Sequence, residues 1–337
     1  MLALRPAAIR IIGAGVALGA IGLAGFSLLA PSPVARPAAI RAAPVPPPSW
    51  SRTALKQLLD SVEAARDEGL RPSDYRRDAL ARIVRDGAHG PRIDPLAEAA
   101  ARSLAHDYAD GRVARRKRID WHIDHPVATL ATLNADLDNA VRAERVDSYL
   151  GGLLPRDPRY KALREALRDT RDDEADRLTS VRASMERWRW MPRALGSDYV
   201  FVNVPSYRVA LFEGDSVVAT HDVVVGAPET PTPMLSATVG SIVVNPWWTL
   251  PPTVLREGKR YSPARGYVYQ TIGGKTYVRQ KPGPMNALGR VKINMPNPYA
   301  IYLHDTPAKW AFAKTDRALS HGCIRVKDIA TLAEKIG

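Results

Sequence analysis

Two hydrophobic periods divide the chain. From residue 51 to about residue 190, apolar side chains recur at helical spacing. Leu55, Leu58, Leu59 and Val62 share one face of a first helix that begins near Ser51 and stops at Gly69. Further helices are predicted over 95–109, 125–140, 157–168 and 173–190, the last with Leu178, Val181, Met185 and Trp188 on one stripe. Short loops join them, so this part reads as a small all-α unit closed by Met191 and Pro192, with Trp188 and Trp190 as packing residues. From Tyr199 the period changes to two. Strands are predicted over 199–204, 207–212 and 217–225, the second and third joined by a Glu213-Gly214-Asp215 turn. Segments 238–245, 275–280, 289–294 and 300–304 continue the pattern, separated by prolines and glycines at 226–233, 246–252 and 282–284. Many short strands so punctuated predict a sandwich-like or barrel-like β domain, and the whole chain reads as α+β. Residues 251–274 break the strand pattern just after Trp247 and Trp248, and are expected to form an irregular capping loop or lid.

The first 50 residues follow neither period. Arg5 and Arg10 precede 11–30, twenty residues without a charge, which reads as an export signal, either cleaved or kept as a membrane anchor. Residues 31–48 hold seven prolines and no apolar period, so they form an extended tether. The predicted organisation is therefore 1–30 signal or anchor, 31–50 tether, 51–192 helical domain and 193–337 β-rich domain.

Composition adds little to this picture, and charge adds one constraint. Hydrophobic residues at 45% and charged residues at 25% are ordinary globular values, and 337 residues suffice for two cores. A net charge of +13 favours polyanionic surroundings without choosing among nucleic acid, anionic lipid and acidic wall polymer. The densest basic run, 112–118, has four Arg and one Lys but no interleaved aromatics, which argues against base stacking and for a solvated basic face.

The chain has one cysteine, Cys323, which excludes an internal disulfide. A lone thiol in an oxidising compartment is a liability, so its presence needs a reason. It lies in Ser320-His321-Gly322-Cys323-Ile324-Arg325-Val326, downstream of Tyr302-Leu303-His304-Asp305-Thr306. A thiol attacks as its thiolate and needs a base or a positive environment. His304 ends a predicted strand sixteen residues before Ser320, a spacing that lets a loop return Cys323 beside it. In an extended stretch His321, Cys323 and Arg325 would share one face. Gly322 permits a sharp turn, so that the Gly322 and Cys323 N–H groups are expected to face a developing oxyanion. Zinc binding by His304, His321 and Cys323 is the competing reading. It has no second cysteine pair behind it, and neither metal nor cofactor is expected.

His304 followed by fifteen residues and Ser-His-Gly-Cys-Ile-Arg resembles the signature of the L,D-transpeptidase (YkuD) catalytic domain. Residues 185–192, 225–233, 244–247, 279–292 and 301–307 resemble the large YcbB-type branch of that family, as does 69–75 more loosely. The resemblance implies a two-step acyl transfer with Cys323 as nucleophile and His304 as proton handler. His321, Ser320 and Gly322 fall on positions that shape the oxyanion pocket, and Arg325 on one that anchors the motif or a substrate carboxylate. Tyr302 and Trp247, within the similar segments, are expected to line the substrate site. The implied donor is a peptidoglycan tetrapeptide stem, cleaved after meso-diaminopimelate with release of D-Ala. The acceptor is an amine, commonly that of a neighbouring stem, giving a 3–3 cross-link in the periplasm. Outer-membrane proteins as acceptors, or water in a carboxypeptidase, use the same chemistry, and carbapenems would acylate Cys323. An uncleaved N-terminal segment would hold the enzyme at the inner membrane.

Two departures from the family are visible. Leu167 to Thr170 runs almost directly into 175–185, where larger relatives carry a peptidoglycan-binding helical module. Only fourteen residues follow Cys323, where the family continues with a helix and closing strands. The short C-terminus is expected of either a truncated sequence or an impaired enzyme, and a catalytically inactive wall-binding scaffold is the alternative from another class. Sortases lack the Ser-His-Gly-Cys run, and papain-like or NlpC/P60 hydrolases place the cysteine before the histidine.

Overall fold

The computed structural model describes residues 46–125, 128–256 and 258–337. The export segment and the tether up to residue 45 lie outside these. The described residues form two compact units, one of 46–114 and 128–190, the other of 115–125 and 191–337.

The first unit is helical, with α1 (Arg52–Ala64), α2 (Arg77–Arg85), α3 (Asp94–Asp110), α4 (Leu130–Arg142), α5 (Val146–Gly152), α6 (Pro158–Asp169) and α7 (Ala175–Arg189). The Ser51 hydroxyl accepts from the Ala54 N–H and starts α1, whose Leu55, Leu58 and Val62 are buried. A short 3-10 turn then ends at Gly69, where φ is +72°. The sequence pattern missed α2 and α5, which are 9 and 7 residues long; α5 ends on two glycines. It also placed the start of α4 too early, because Thr129 supplies the cap. At the end of α7 the nearly inaccessible Arg189 pairs with Glu186 at 2.9 Å and donates to the Glu68 carbonyl. Tyr160 donates to Glu68 at 2.7 Å and Arg164 pairs with it at 2.9 Å, so the buried charges are mutually compensated. Trp190 donates to Glu186 and Trp188 lies beneath Arg159, both as packing residues.

The second unit holds β1 (Trp121–His122), β2 (Asp198–Asn203), β3 (Arg208–Glu213), β4 (Ser216–Gly226), β5 (Met234–Leu235), β6 (Ser241–Val244), β7 (Trp248–Thr249), α8 (Pro252–Leu255), β8 (Tyr267–Ile272), β9 (Lys275–Gln280), β10 (Val291–Asn294), β11 (Leu303–His304), β12 (Ala318–Ser320), β13 (Ile324–Val326) and α9 (Ile329–Ile336). An eight-stranded mixed sheet runs β2-β3-β4-β13-β11-β10-β6, with β12 pairing β4 off this path. Strand β13 is interior, antiparallel to β4 and parallel to β11. Leu303 and Ile324 face each other there, both fully buried, and Val223, Val225, Ile293, Leu332 and Ile336 join them in the core. Each such side chain contributes about 1.5–3 kcal/mol of burial, which fixes the strand that follows Cys323. The opposite face carries Val224, covered by Ala311 and Phe312.

Residues 251–274 are not irregular as expected. They contain α8 and β8, and β8 pairs with β9 in a three-stranded sheet ordered β7-β9-β8. This sheet has its own small core of Leu250, Val254 and Val278, with Trp248, Tyr261 and Tyr267 against it. The short pair β1–β5 was also unforeseen, because a two-residue strand leaves no period to read. Among the described residues no helix is long and apolar enough to cross a membrane.

Candidate active site

The Ser320–Cys323 turn is held by side chains that satisfy its backbone. Ser320, buried, donates its hydroxyl to the Cys323 carbonyl at 2.6 Å and accepts from the Gly322 N–H at 3.1 Å. Thr232, also buried, donates to the Gly322 carbonyl at 2.7 Å and accepts from the Gly226 N–H at 2.8 Å. The Ser320 carbonyl accepts from the Thr230 hydroxyl at 3.1 Å and the Ala227 N–H at 2.8 Å. Gly322 has φ +109°, a backbone that side chains rarely adopt, and Gly226 lies so close to Thr230 that a Cβ would stand 2.3 Å from its carbonyl oxygen.

This arrangement corrects two expectations. The Gly322 N–H is engaged by Ser320 and is not directed at an oxyanion. His321 is exposed and lies off the strand, because the turn at Gly322 breaks the extended run that would have aligned it with Cys323 and Arg325.

Strand register assembles the rest. Val243, Lys292, His304, Arg325 and Val224 lie in one row across five strands, each in register with the next. Paired residues of a ladder project to the same face. The row therefore sets His304 between two cations on the face opposite the Leu303–Ile324 core. Tyr302 and Cys323 lie two residues before His304 and Arg325, just ahead of strands β11 and β13, which puts Cys323 diagonal to His304 in the ladder. The Tyr302 and His304 rings meet edge to face with centroids 5.5 Å apart.

Cys323 is half-buried, and its thiol points to the Ala300 carbonyl at 3.6 Å. The hydroxyl and the backbone N–H of Tyr302 both donate toward the sulfur. Trp248 in turn hydrogen-bonds the Tyr302 hydroxyl. His304 Nδ1 bonds the Asp305 carbonyl, which only accepts, so Nδ1 carries the proton and Nε2 is left as the acceptor. The Asp305 carboxylate is occupied elsewhere, accepting from the Arg290 N–H and from Lys309.

Electrostatics departs from a pre-formed thiolate. Burial pushes the Cys323 thiol up, against Tyr302, Lys292 and Arg325, which favour its anion. Burial, with Arg325 and Lys292 adding repulsion, pulls His304 down to about 3 although the Asp305 carbonyl favours its charged form. The resting pair is a neutral thiol beside a neutral imidazole. Burial also lowers Lys292 and Arg325, and for both the Cys323 anion is the counter-influence.

Trp247 is exposed, with the Arg279 guanidinium 4.8 Å from its ring centroid. It is Trp248, beside it, that reaches Tyr302. Sequence reasoning did not assign roles to Trp248, Thr232 or Lys292.

Residues 197–337 match the family model of the L,D-transpeptidase catalytic domain, YkuD. This segment is a YkuD domain. Residues 47–167 match a separate family model described as a scaffold domain. A curated Haemophilus influenzae (strain ATCC 51907 / DSM 11121 / KW20 / Rd) protein, provisionally named an L,D-transpeptidase, is 33% identical over 160 residues, covering 40% of this chain. The match spans about a third of that relative's length, 32%. Two solved structures are also similar at 14% identity over 48% of this chain: an Ldtfm–avibactam carbamoyl enzyme (57% of that chain, TM-score 0.28) and a cysteine-to-serine mutant of an Enterococcus faecium L,D-transpeptidase (58%, TM-score 0.23). At those scores the assignment of the YkuD domain rests on the sequence matches.

Proposed function

We propose that the chain is an exported peptidoglycan L,D-transpeptidase of the YcbB type, with Cys323 as nucleophile and His304 as its proton carrier. One observation carries this reading: Cys323, Tyr302 and His304 share one face of the sheet at the end of a braced turn, within a YkuD domain.

In the first step Cys323 sulfur attacks the carbonyl carbon of the third stem residue, and the amide bond to the terminal D-Ala breaks. The thiol proton passes through His304 Nε2 to the leaving amine, so D-Ala departs as a neutral amine with its carboxylate. The Cys323 N–H and the Tyr302 hydroxyl are assigned to the developing oxyanion, since Ser320 holds the Gly322 N–H. In the second step an acceptor amine attacks the thioester carbonyl and gives its proton to His304. The amide forms, the carbon–sulfur bond breaks, and the proton returns to the sulfur. Arg325 faces the donor as a carboxylate anchor, and Trp247 forms the outer wall. The periplasm is the place of action, with 1–30 as the export signal.

The test is product analysis. Purified protein, incubated with a disaccharide tetrapeptide donor and a stem acceptor, should yield D-Ala and a 3–3 cross-linked dimer by mass spectrometry. Release of D-Ala with tripeptide alone would make it a carboxypeptidase. No turnover by folded protein would leave the wall-binding scaffold.

A further inference from the structure

Lys292 stands in register with His304 on the face that carries Cys323, half-buried, with its ammonium 3.9 Å from the Tyr302 ring centroid. Among the described residues no carboxylate lies within ion-pair distance of it, although a cation held partly out of water requires compensation. The compensation present is the π-face of Tyr302, whose hydroxyl reaches Cys323. The charged and titratable groups that act on the sulfur are Tyr302, just before β11, Lys292 from β10 and Arg325 from β13, with His304 in register between the two cations. None of these is acidic in the way of a carboxylate, and Asp305 is turned to Arg290 and Lys309.

We infer that Lys292 is the cation that supports ionisation of Cys323, doing through Tyr302 and the local field what an imidazolium does in a thiolate–imidazolium pair. A neutral His304 between two cations gives the sulfur no positive partner before substrate arrives. The two flanking charges give it one, and Lys292 is the one stacked on the ring that touches the sulfur. Lys292 then sets how readily the resting thiol ionises, while the thiol proton passes through the uncharged His304 only during acyl transfer. Lys292 thus acts as a positioning residue, its charge held in place over Tyr302. This role rests on the proposed function only in making Cys323 the nucleophile.

The experiment is the pH dependence of Cys323 alkylation by iodoacetamide, a neutral probe that needs no substrate, followed by intact mass. A nearby positive charge favours the anion, so its removal raises the midpoint. In Lys292→Met the midpoint should rise by about one pH unit, making alkylation about tenfold slower below the midpoint. Lys292→Arg should keep the wild-type midpoint, and Lys292→Gln should follow the Met variant. His304→Ala should leave the midpoint at or below that of the wild type, because no imidazolium is being lost. Thermal melts establish which variants are folded. An unchanged midpoint in folded Lys292→Met or Lys292→Gln overturns the inference, as does a midpoint raised by His304→Ala. Failure of transpeptidation with the predicted alkylation pattern intact would refute the proposed reaction and leave the role of Lys292 standing.

Discussion

His304 and Arg325 face each other in register across parallel strands β11 and β13. The pairing is more consequential than either residue alone. It places a guanidinium beside an imidazole that burial has already made hard to protonate, with Lys292 on the other side. The same two cations that oppose an imidazolium favour a sulfur anion one row away. On the proposed mechanism, two tasks are therefore separate: favouring the thiolate and carrying the proton.

Acid should unfold the protein partly through His304. Its folded value of about 3 lies below the ordinary 6.5, so between these values the unfolded chain binds a proton that the folded one does not. Stability from this residue is complete above about pH 6.5 and is lost as pH falls toward 3, by up to about 5 kcal/mol. Urea unfolding at pH 7 and pH 4 should show a larger loss in the wild type than in His304→Gln. Equal losses in the two would contradict the burial of a neutral imidazole.

Thr232→Val should uncover how far the turn depends on one hydroxyl. The change keeps shape but leaves the Gly322 carbonyl and Gly226 N–H without their buried partner. The expected cost is about 1–3 kcal/mol by denaturant unfolding, with slower acylation of Cys323 as the turn loosens. A variant as stable and as reactive as the wild type would remove Thr232 from the account.

Gly322→Ala tests the turn from the backbone side. At φ +109° a methyl group is strained, and the added Cβ would also stand 3.2 Å from Ile301 Cδ1. A loss of about 1–3 kcal/mol is expected. The variant should also lose most acylation, because relief of the strain moves Cys323. Wild-type acylation rates in Gly322→Ala would show that the backbone geometry is dispensable.

The two adjacent tryptophans should separate kinetically. Trp248→Phe keeps an aromatic ring in the small core of the three-stranded sheet but removes the N–H bonded to Tyr302. It should slow acylation by about 3–10-fold with little change in KM. Trp247→Ala removes an exposed ring stacked on Arg279 and should raise KM with kcat largely kept. The reverse assignment of effects would move the substrate wall to Trp248.

Much of this was legible in the sequence, for identifiable reasons. The change of period at Tyr199 marked the strands because one face of each is buried, and the Val223–Val225 run reads as buried because both faces are covered. Cys323 and His304 stood out by residue type and spacing. Register did not. Lys292 looked like any polar position of an alternating strand, and only the pairing of β10 with β11 brings it opposite His304. The engagement of the Gly322 N–H depends on a positive φ and a serine rotamer, neither of which spacing encodes. Strand β8 was obscured because Tyr267–Ile272 lies amid prolines, glycines and charges, and four of its six residues are exposed, with no alternation to read. Thr232 carries no signal beyond its type until the β4 end folds against the Ser320–Cys323 turn.

The central claim is that Cys323 sulfur becomes acylated with His304 carrying the proton. Intact-protein mass spectrometry after exposure to a tetrapeptide donor, or to a carbapenem, reads this directly. The account predicts an adduct of the acyl mass on the wild-type chain, none on Cys323→Ala, and little or none on folded His304→Ala. An adduct that persists in Cys323→Ala, or forms at the wild-type rate in His304→Ala, would contradict it.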